Sequence, residues 1–243
     1  PDTTYGCESG GDPKNIPDLT YENFLNFHRT YYHPSNSYIY LYGNMDMEEK
    51  LAFLDEHYLS HFDYLDVDSV IQEQKAFGAC QDVTLEYPVA ENEGEEDNTY
   101  LSYNMVVGNA ADSQMAMAFE VLDYALLSAP GAPLKQALLD VKAGKDVYGS
   151  YDDGILQPYF TVIAKGSNPD RKEEFVSVIR QVLGDIVKNG IDRKAVEAGI
   201  NYFEFRYREA DFSSYPKGLM YSLDILGDWL YEKGNPFAQV QQL

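Results

Sequence analysis

Few residues in this chain could do chemistry, and their spacing limits which chemistry that is. There are four histidines. His57 and His61 lie four apart in a stretch whose periodicity predicts a helix, so both rings can share one side. Two imidazoles at that spacing can hold zinc. The catalytic frames built on such a pair need a glutamate at the second or the fourth place, and here those places are Tyr58 and Ser60. A general base and a third ligand are therefore missing from the frame. The plainer reading is two polar residues near a helix C-terminus, where the dipole favours His⁺. His28 recurs with Phe24, Phe27 and Tyr31 on an apolar face, which predicts a hydrogen-bonded core histidine. His33 opens "HPSN" with no cysteine or acid in a triad pattern, and without a GxSxG elbow Ser35 has no nucleophile signature. Asn36 is suited to turning the chain through its side chain.

Other candidates are weaker still. "SGGD" at 9–12 is neither a dinucleotide fingerprint nor a P-loop, and its glycines let a loop turn. The acidic run from Glu91 to Asp97 lacks the spacing of a calcium loop and reads as a solvated hairpin tip. Cys7 and Cys80 form no CxxC pair, so no redox motif or zinc knuckle is written here. Their scarcity points to a reducing compartment, a bacterial cytoplasm or an organelle matrix. Against 18 basic residues stand 40 acidic ones, a net charge of −22. Such a chain repels DNA and RNA, attracts basic peptides, and is at the least well solvated. With no apolar run of about 18 residues, no membrane span is expected.

The elements that must position these groups read as follows. Residues 1–19 form a Gly-, Pro- and Asp-rich loop. Thr20 caps a helix over about 21–32, and Pro34 stops it. "SYIYLYG" (37–43) reads as a strand covered on both faces. Asp46 caps a helix to about 60, with Leu51, Leu54 and Tyr58 on its face. Residues 81–90 and 98–107 read as a hairpin. Asp112 caps the helix that follows, and 132–140 gives a shorter one. Residues 145–153 and 158–166 form a strand pair. A helix led by Pro169 ends at Gly190, Asp192 caps another to about 210, and 213–231 gives the last. That order predicts an α+β fold, helices packed on one face of a mostly antiparallel sheet. The chain opens on Pro1, without Met, so a piece of a longer protein is expected.

The stretch "SGGDPKNIPDLTYENFLNFHRTYYHPSNSYIYLYGNMD" resembles the M16 zinc metallopeptidases of the pitrilysin and insulinase clan, specifically their presequence-protease branch. The likeness is carried by Gly10, Gly11 and Pro13, by Leu19 to Glu22, by His28, by Tyr32 to Asn36 and by Tyr42 to Asn44. Such proteins are built from four homologous α+β domains of LuxS/MPP-like fold, forming two half-shells around a chamber for unfolded peptides. The resemblance implies that residues 1–36 are the tail of a preceding catalytic domain with its connecting helix. It implies that 37–243 are the second, non-catalytic domain, ending near the interdomain linker. The family's Zn²⁺ sits on an HxxEH helix that this chain lacks. Zinc is thus expected in the parent enzyme and not on this piece, which alone should cleave nothing.

In insulin-degrading relatives the second domain anchors substrate along a strand edge. By order of elements, that region falls on Val147, Tyr148, Gly149 and Ser150 with Lys165 and Gly166. A strand with unpaired backbone groups can accept a peptide strand, and Gly149 would permit its close approach. An ordinary internal hairpin with a bulge fits the same residues. The implied partners are unfolded presequence-like peptides, basic ones among them, together with the catalytic domain and second half-shell of the same polypeptide. Two other functions stay open: a scaffold subunit of M16 fold, as in the non-catalytic partners of mitochondrial processing peptidases, and a stand-alone peptide-binding module.

Overall fold

The structure, a computed structural model, describes residues 2–91, 94–209, 212–231 and 237. Its helices begin where the capping residues say they should. α1 (Tyr21–Tyr31) starts at Thr20, whose hydroxyl accepts the Asn23 N–H at 3.1 Å. α2 (Met47–His57) starts at Asp46, which accepts from Glu49 N–H at 3.1 Å. α3 (Ser113–Asp123) starts at Asp112, which accepts from Met115 N–H at 3.0 Å. Each oxygen satisfies an amide that has no partner within its own helix. α3 runs on into a π-helical turn, Tyr124–Ser128, and α4 (Pro133–Asp140) follows.

The sheet has three antiparallel strands, β1 (Thr99–Val106), β2 (Asp146–Asp152) and β3 (Tyr159–Ser167), in the order β1-β3-β2. Leu101 and Val147 both pair with Ala164, and Tyr103 and Gly149 both pair with Val162. That register puts Leu101, Val147, Phe160, Val162 and Ala164 into the core with Leu127, Leu134 and Leu138. α5 (Lys172–Asn189) adds Phe175 and Ile179 to the same core and ends at Gly190, whose φ of 88° only glycine adopts readily. Each such side chain gains about 1.5–3 kcal/mol on burial. On the opposite face the Thr161 hydroxyl donates to Asn104 Oδ1. α6 (Arg193–Glu209) packs on α3, and α7 (Lys217–Leu230) is the last helix among the described residues.

Three expectations are corrected. Residues 37–42 belong to no sheet among the described residues. Their alternation instead separates two contacts. The Tyr38 ring lies 4.7 Å from Trp229 and the Tyr42 ring 6.2 Å from Tyr221, both on α7. Ile39 and Leu41 line a cavity with Met47, Leu51 and Leu54 of α2. Neither face is buried, since Tyr38, Ile39 and Tyr42 stay exposed, and strand pairing also needs a neighbour's open edge.

Residues 81–90 are irregular and form no hairpin arm. Leu85 is 85% exposed, and the contact with β1 runs through Tyr87, which donates to the Asn98 carbonyl and sets its ring 6.0 Å from Tyr100. His28 is not a core histidine. It is exposed and stacks on Tyr32 at 4.8 Å, because the apolar face of α1 is itself open: Phe24 is 63% and Phe27 59% exposed.

Candidate functional site: an open strand edge above buried carboxylates

The order β1-β3-β2 leaves β2 on an outer edge among the described residues. The six candidate residues lie on β2 and at the end of β3, with Gly149 and Ser150 further along, opposite Val162 and Thr161. Asp146 pairs with Lys165 and Val147 with Ala164, while the Lys145 N–H donates to the Lys165 carbonyl at 2.8 Å. Their roles differ. Val147 is 0% exposed, so its side chain is core and meets no ligand; its N–H donates to Asp146 Oδ1 at 2.8 Å. Tyr148, 40% exposed, and Ser150 face outward. Lys165 is exposed with its Nζ 5.9 Å from the centre of the Tyr100 ring. Gly166 turns the end of β3 with a φ of 66°.

Gly149 faces inward. A Cβ there would collide with Leu127 Cδ1, lie 2.7 Å from the Thr161 carbonyl oxygen and 3.1 Å from Asp123 Oδ1. The close approach this glycine permits is that of the π-helical turn packed beneath β2.

Beneath Gly149 lies Asp123, and further shifted acids sit on α3 and α7. Asp123 Oδ1 is buried with no hydrogen-bond partner, and burial pushes this carboxyl up, opposed by the Ser128 hydroxyl that donates to Oδ2 at 3.2 Å. Glu120, one turn earlier on α3, accepts from the Tyr207 hydroxyl at 3.3 Å. Burial drives the Glu120 carboxyl to about 7, with Asp153 adding repulsion and Tyr207 and Arg206 opposing the rise. Asp224 on α7 is pushed to about 6 by burial, then by Asp153 and Asp228. One signal was available: Glu120 and Asp123 follow the buried Ala116 by four and seven residues, on the stripe that faces the core.

The acidic loop is tied down rather than free at its end. Asp97 exchanges hydrogen bonds with Asn168, at 2.8 Å and 2.7 Å, and meets Lys145 Nζ at 3.3 Å. The Asn168 hydrogen bond and then Lys145 hold its carboxyl below the usual range.

The histidine candidates resolve into structure. His33 Nδ1 accepts the Ser35 N–H at 3.2 Å, Ser35 Oγ accepts the Leu65 N–H at 3.1 Å, and Asn36 Nδ2 donates to the Tyr31 carbonyl at 3.0 Å. "HPSN" is thus a joint held by backbone hydrogen bonds. His57 packs on Phe53 at 4.6 Å. Among the described residues no group of three or more His, Cys, Asp or Glu is arranged to hold a metal ion, so the residues present do not fit a zinc site. Cys7 and Cys80 are exposed free thiols. No described helix is long and apolar enough to cross a membrane.

Comparison with known proteins then places the chain. Residues 18–203 match the family described as "Peptidase M16 inactive domain". The chain belongs to the peptidase M16 family. That description supports reading it as a non-catalytic M16 domain. It is similar to "Protein HypA" of Clostridium perfringens, 47% identical over 99% of this chain and 25% of that protein. It is also similar to the "Presequence protease 1, chloroplastic/mitochondrial" of Arabidopsis thaliana, 36% identical over 99% of this chain and 22% of that one. The chain therefore spans about a quarter of the length of these curated relatives. A solved protease from Helicobacter pylori shares the fold, with a TM-score of 0.60 at 18% identity over 95% of this chain and 55% of that one. The M16 inactive domain thus presents here an α+β unit with an open β2 edge and no metal frame among its described residues.

Proposed function

We propose that this chain is the non-catalytic, chamber-forming domain of a larger zinc-dependent peptidase, and that the β2 edge receives a stretch of unfolded peptide as an added strand. The carrying observation is the position of β2: an outer strand with Tyr148 and Ser150 exposed beside it and Lys165 at its head. Backbone hydrogen bonds would give affinity to many sequences, and the exposed tyrosine would supply an apolar contact with little entropy to lose. The names of the presequence-protease relatives support peptides as the substrate class. The net charge of −22 supports a preference for basic ones.

The same reading assigns residues 1–36 to the end of a preceding domain. The open aromatic face of α1 supports this, since Phe24 and Phe27 on one stripe need a partner surface.

Strand addition has a signature that leaves the protein unaltered. Substrate peptides N-methylated at single positions remote from the scissile bond should lose affinity for the full-length protein at every second position. A KM indifferent to methylation at all such positions would rule out the added strand.

A further inference from the structure

The turn that joins β2 to β3, residues 153–158, carries a relay of hydrogen bonds that ends at the N-terminal segment. The turn is itself fixed, because the Val107 N–H donates to the Pro158 carbonyl and the Ala110 N–H to the Leu156 carbonyl, both at 2.8 Å. Between those two anchors stands Gln157. Its Oε1 accepts the Gln74 N–H at 2.6 Å, and its Nε2 donates to the Gln74 carbonyl at 3.2 Å. A side-chain amide thus pairs with a main chain much as a neighbouring strand would, which takes a donor and an acceptor on one group. Asn109 Nδ2 adds a bond to Glu73 Oε1 at 2.6 Å. The Gln74 side chain then repeats the device one step on. Its Oε1 accepts the Asp2 N–H at 2.7 Å, and its Nε2 donates to Asp2 Oδ2 at 2.6 Å. A second tie runs in parallel: the Tyr5 hydroxyl is hydrogen-bonded to that of Tyr231, which donates to the Gly154 carbonyl at 3.3 Å.

No described residue before Leu101 is buried, so segment 2–5 has no core side chain to pin it. Hydrogen bonds of this kind exchange with water, and each alone is weak. Together the reciprocal pairs fix a position that can still be released. We propose that Gln157, Gln74 and Tyr231 form a releasable latch that seats the N-terminal segment at the foot of β2 and so holds the preceding domain at a fixed distance from the β2 edge. Its effect on function rests on the roles proposed above for residues 1–36 and for that edge. Gln157 lies beyond Asp152, where β2 ends, and it acts through Gln74 rather than on a peptide, so it is a positioning residue. With the latch open a peptide still binds the edge. The edge is then no longer held at one distance from the catalytic domain, and the share of bound peptide in reactive geometry falls.

The relay has a direction, which hydrogen exchange of the full-length protein reads. Gln157→Ala should raise exchange about fivefold, the worth of one ordinary hydrogen bond, in peptides from both 70–77 and 2–7. Gln74→Ala keeps the main-chain pair with Gln157 and should raise exchange in 2–7 alone, as should Tyr231→Phe. Peptides from 172–189, on α5, should stay flat in all three variants, which separates release of the latch from loss of the fold. Unchanged exchange of 2–7 in Gln157→Ala or Gln74→Ala overturns the latch, and so does a rise that spreads equally to 172–189. In peptide cleavage by the same protein, Gln157→Ala should lower kcat several-fold with KM held, a split that loss of an edge contact would not give. An unchanged kcat while 2–7 is loosened overturns the positioning role. Failure of the edge reading shows separately, as a KM indifferent to N-methylation of the peptide.

Discussion

At the scale of single residues, Gly149 is the instructive position. As a glycine in an edge strand it invites the idea of a substrate lying close above it. The structure turns the argument inward, because the space of its missing Cβ is occupied by Leu127 and bounded by the Thr161 carbonyl at 2.7 Å. Gly149→Ala should therefore destabilise the fold by about 1–3 kcal/mol, the usual range for overpacking. Thermal melting reads this, and an unchanged Tm would refute the tight packing. A raised KM in that variant would say little about substrate. Tyr148 is the cleaner probe: it is exposed and its alanine variant should melt within about 0.5 kcal/mol of wild type. In the full-length protein Tyr148→Ala should raise KM for peptides several-fold with kcat unchanged, the pattern of lost uniform binding. An unaltered KM would remove Tyr148 from the proposed edge. His33 teaches the complementary lesson. Its ring nitrogen is occupied by the Ser35 amide, so a residue type rich in chemistry serves as a turn clasp.

At the scale of elements, boundaries were legible because caps are local. Thr20, Asp46 and Asp112 each accept the amide three residues on, and each was readable from a polar residue preceding an apolar period. Asp112→Ala should cost about 1 kcal/mol in chemical denaturation, as lost caps do; a midpoint equal to wild type would mean that α3 does not depend on this cap. The strands at 145–153 and 158–166 were readable for a related reason, since each is close in sequence to its partner. Residues 37–42 and 81–90 alternate like strands yet join no sheet among the described residues. Their alternation is real, but a strand is completed by a neighbour, and the edge it needs is not encoded within the segment. The expectation that both faces of 37–42 are covered also fails: Tyr38 and Tyr42 touch α7, but they and Ile39 stay exposed.

At the scale of the whole molecule, the surplus of acid acts as a field. If the chamber reading holds, kcat/KM of the full-length protein for a basic peptide should fall as ionic strength rises from about 0.01 to 0.15 M, where the screening length shrinks from about 30 to 8 Å. A neutral peptide of equal length should show no such fall, and equal salt dependence for both would discard electrostatic concentration. The sequence by itself determined the α+β class, the helix starts, the lack of an HxxEH frame and the M16 resemblance, because these rest on residue types at short, fixed spacings. Only the tertiary structure decided which face of each element is buried and against what. It set Gly149 on the π-helical turn and left the apolar face of α1 open. It also buried the carboxyls of Glu120 and Asp224 enough to raise their proton affinity. The physical reason is that burial and charge proximity belong to pairs of distant residues, and a carboxyl gains an unusual proton affinity only once the fold has removed its water and supplied its neighbours.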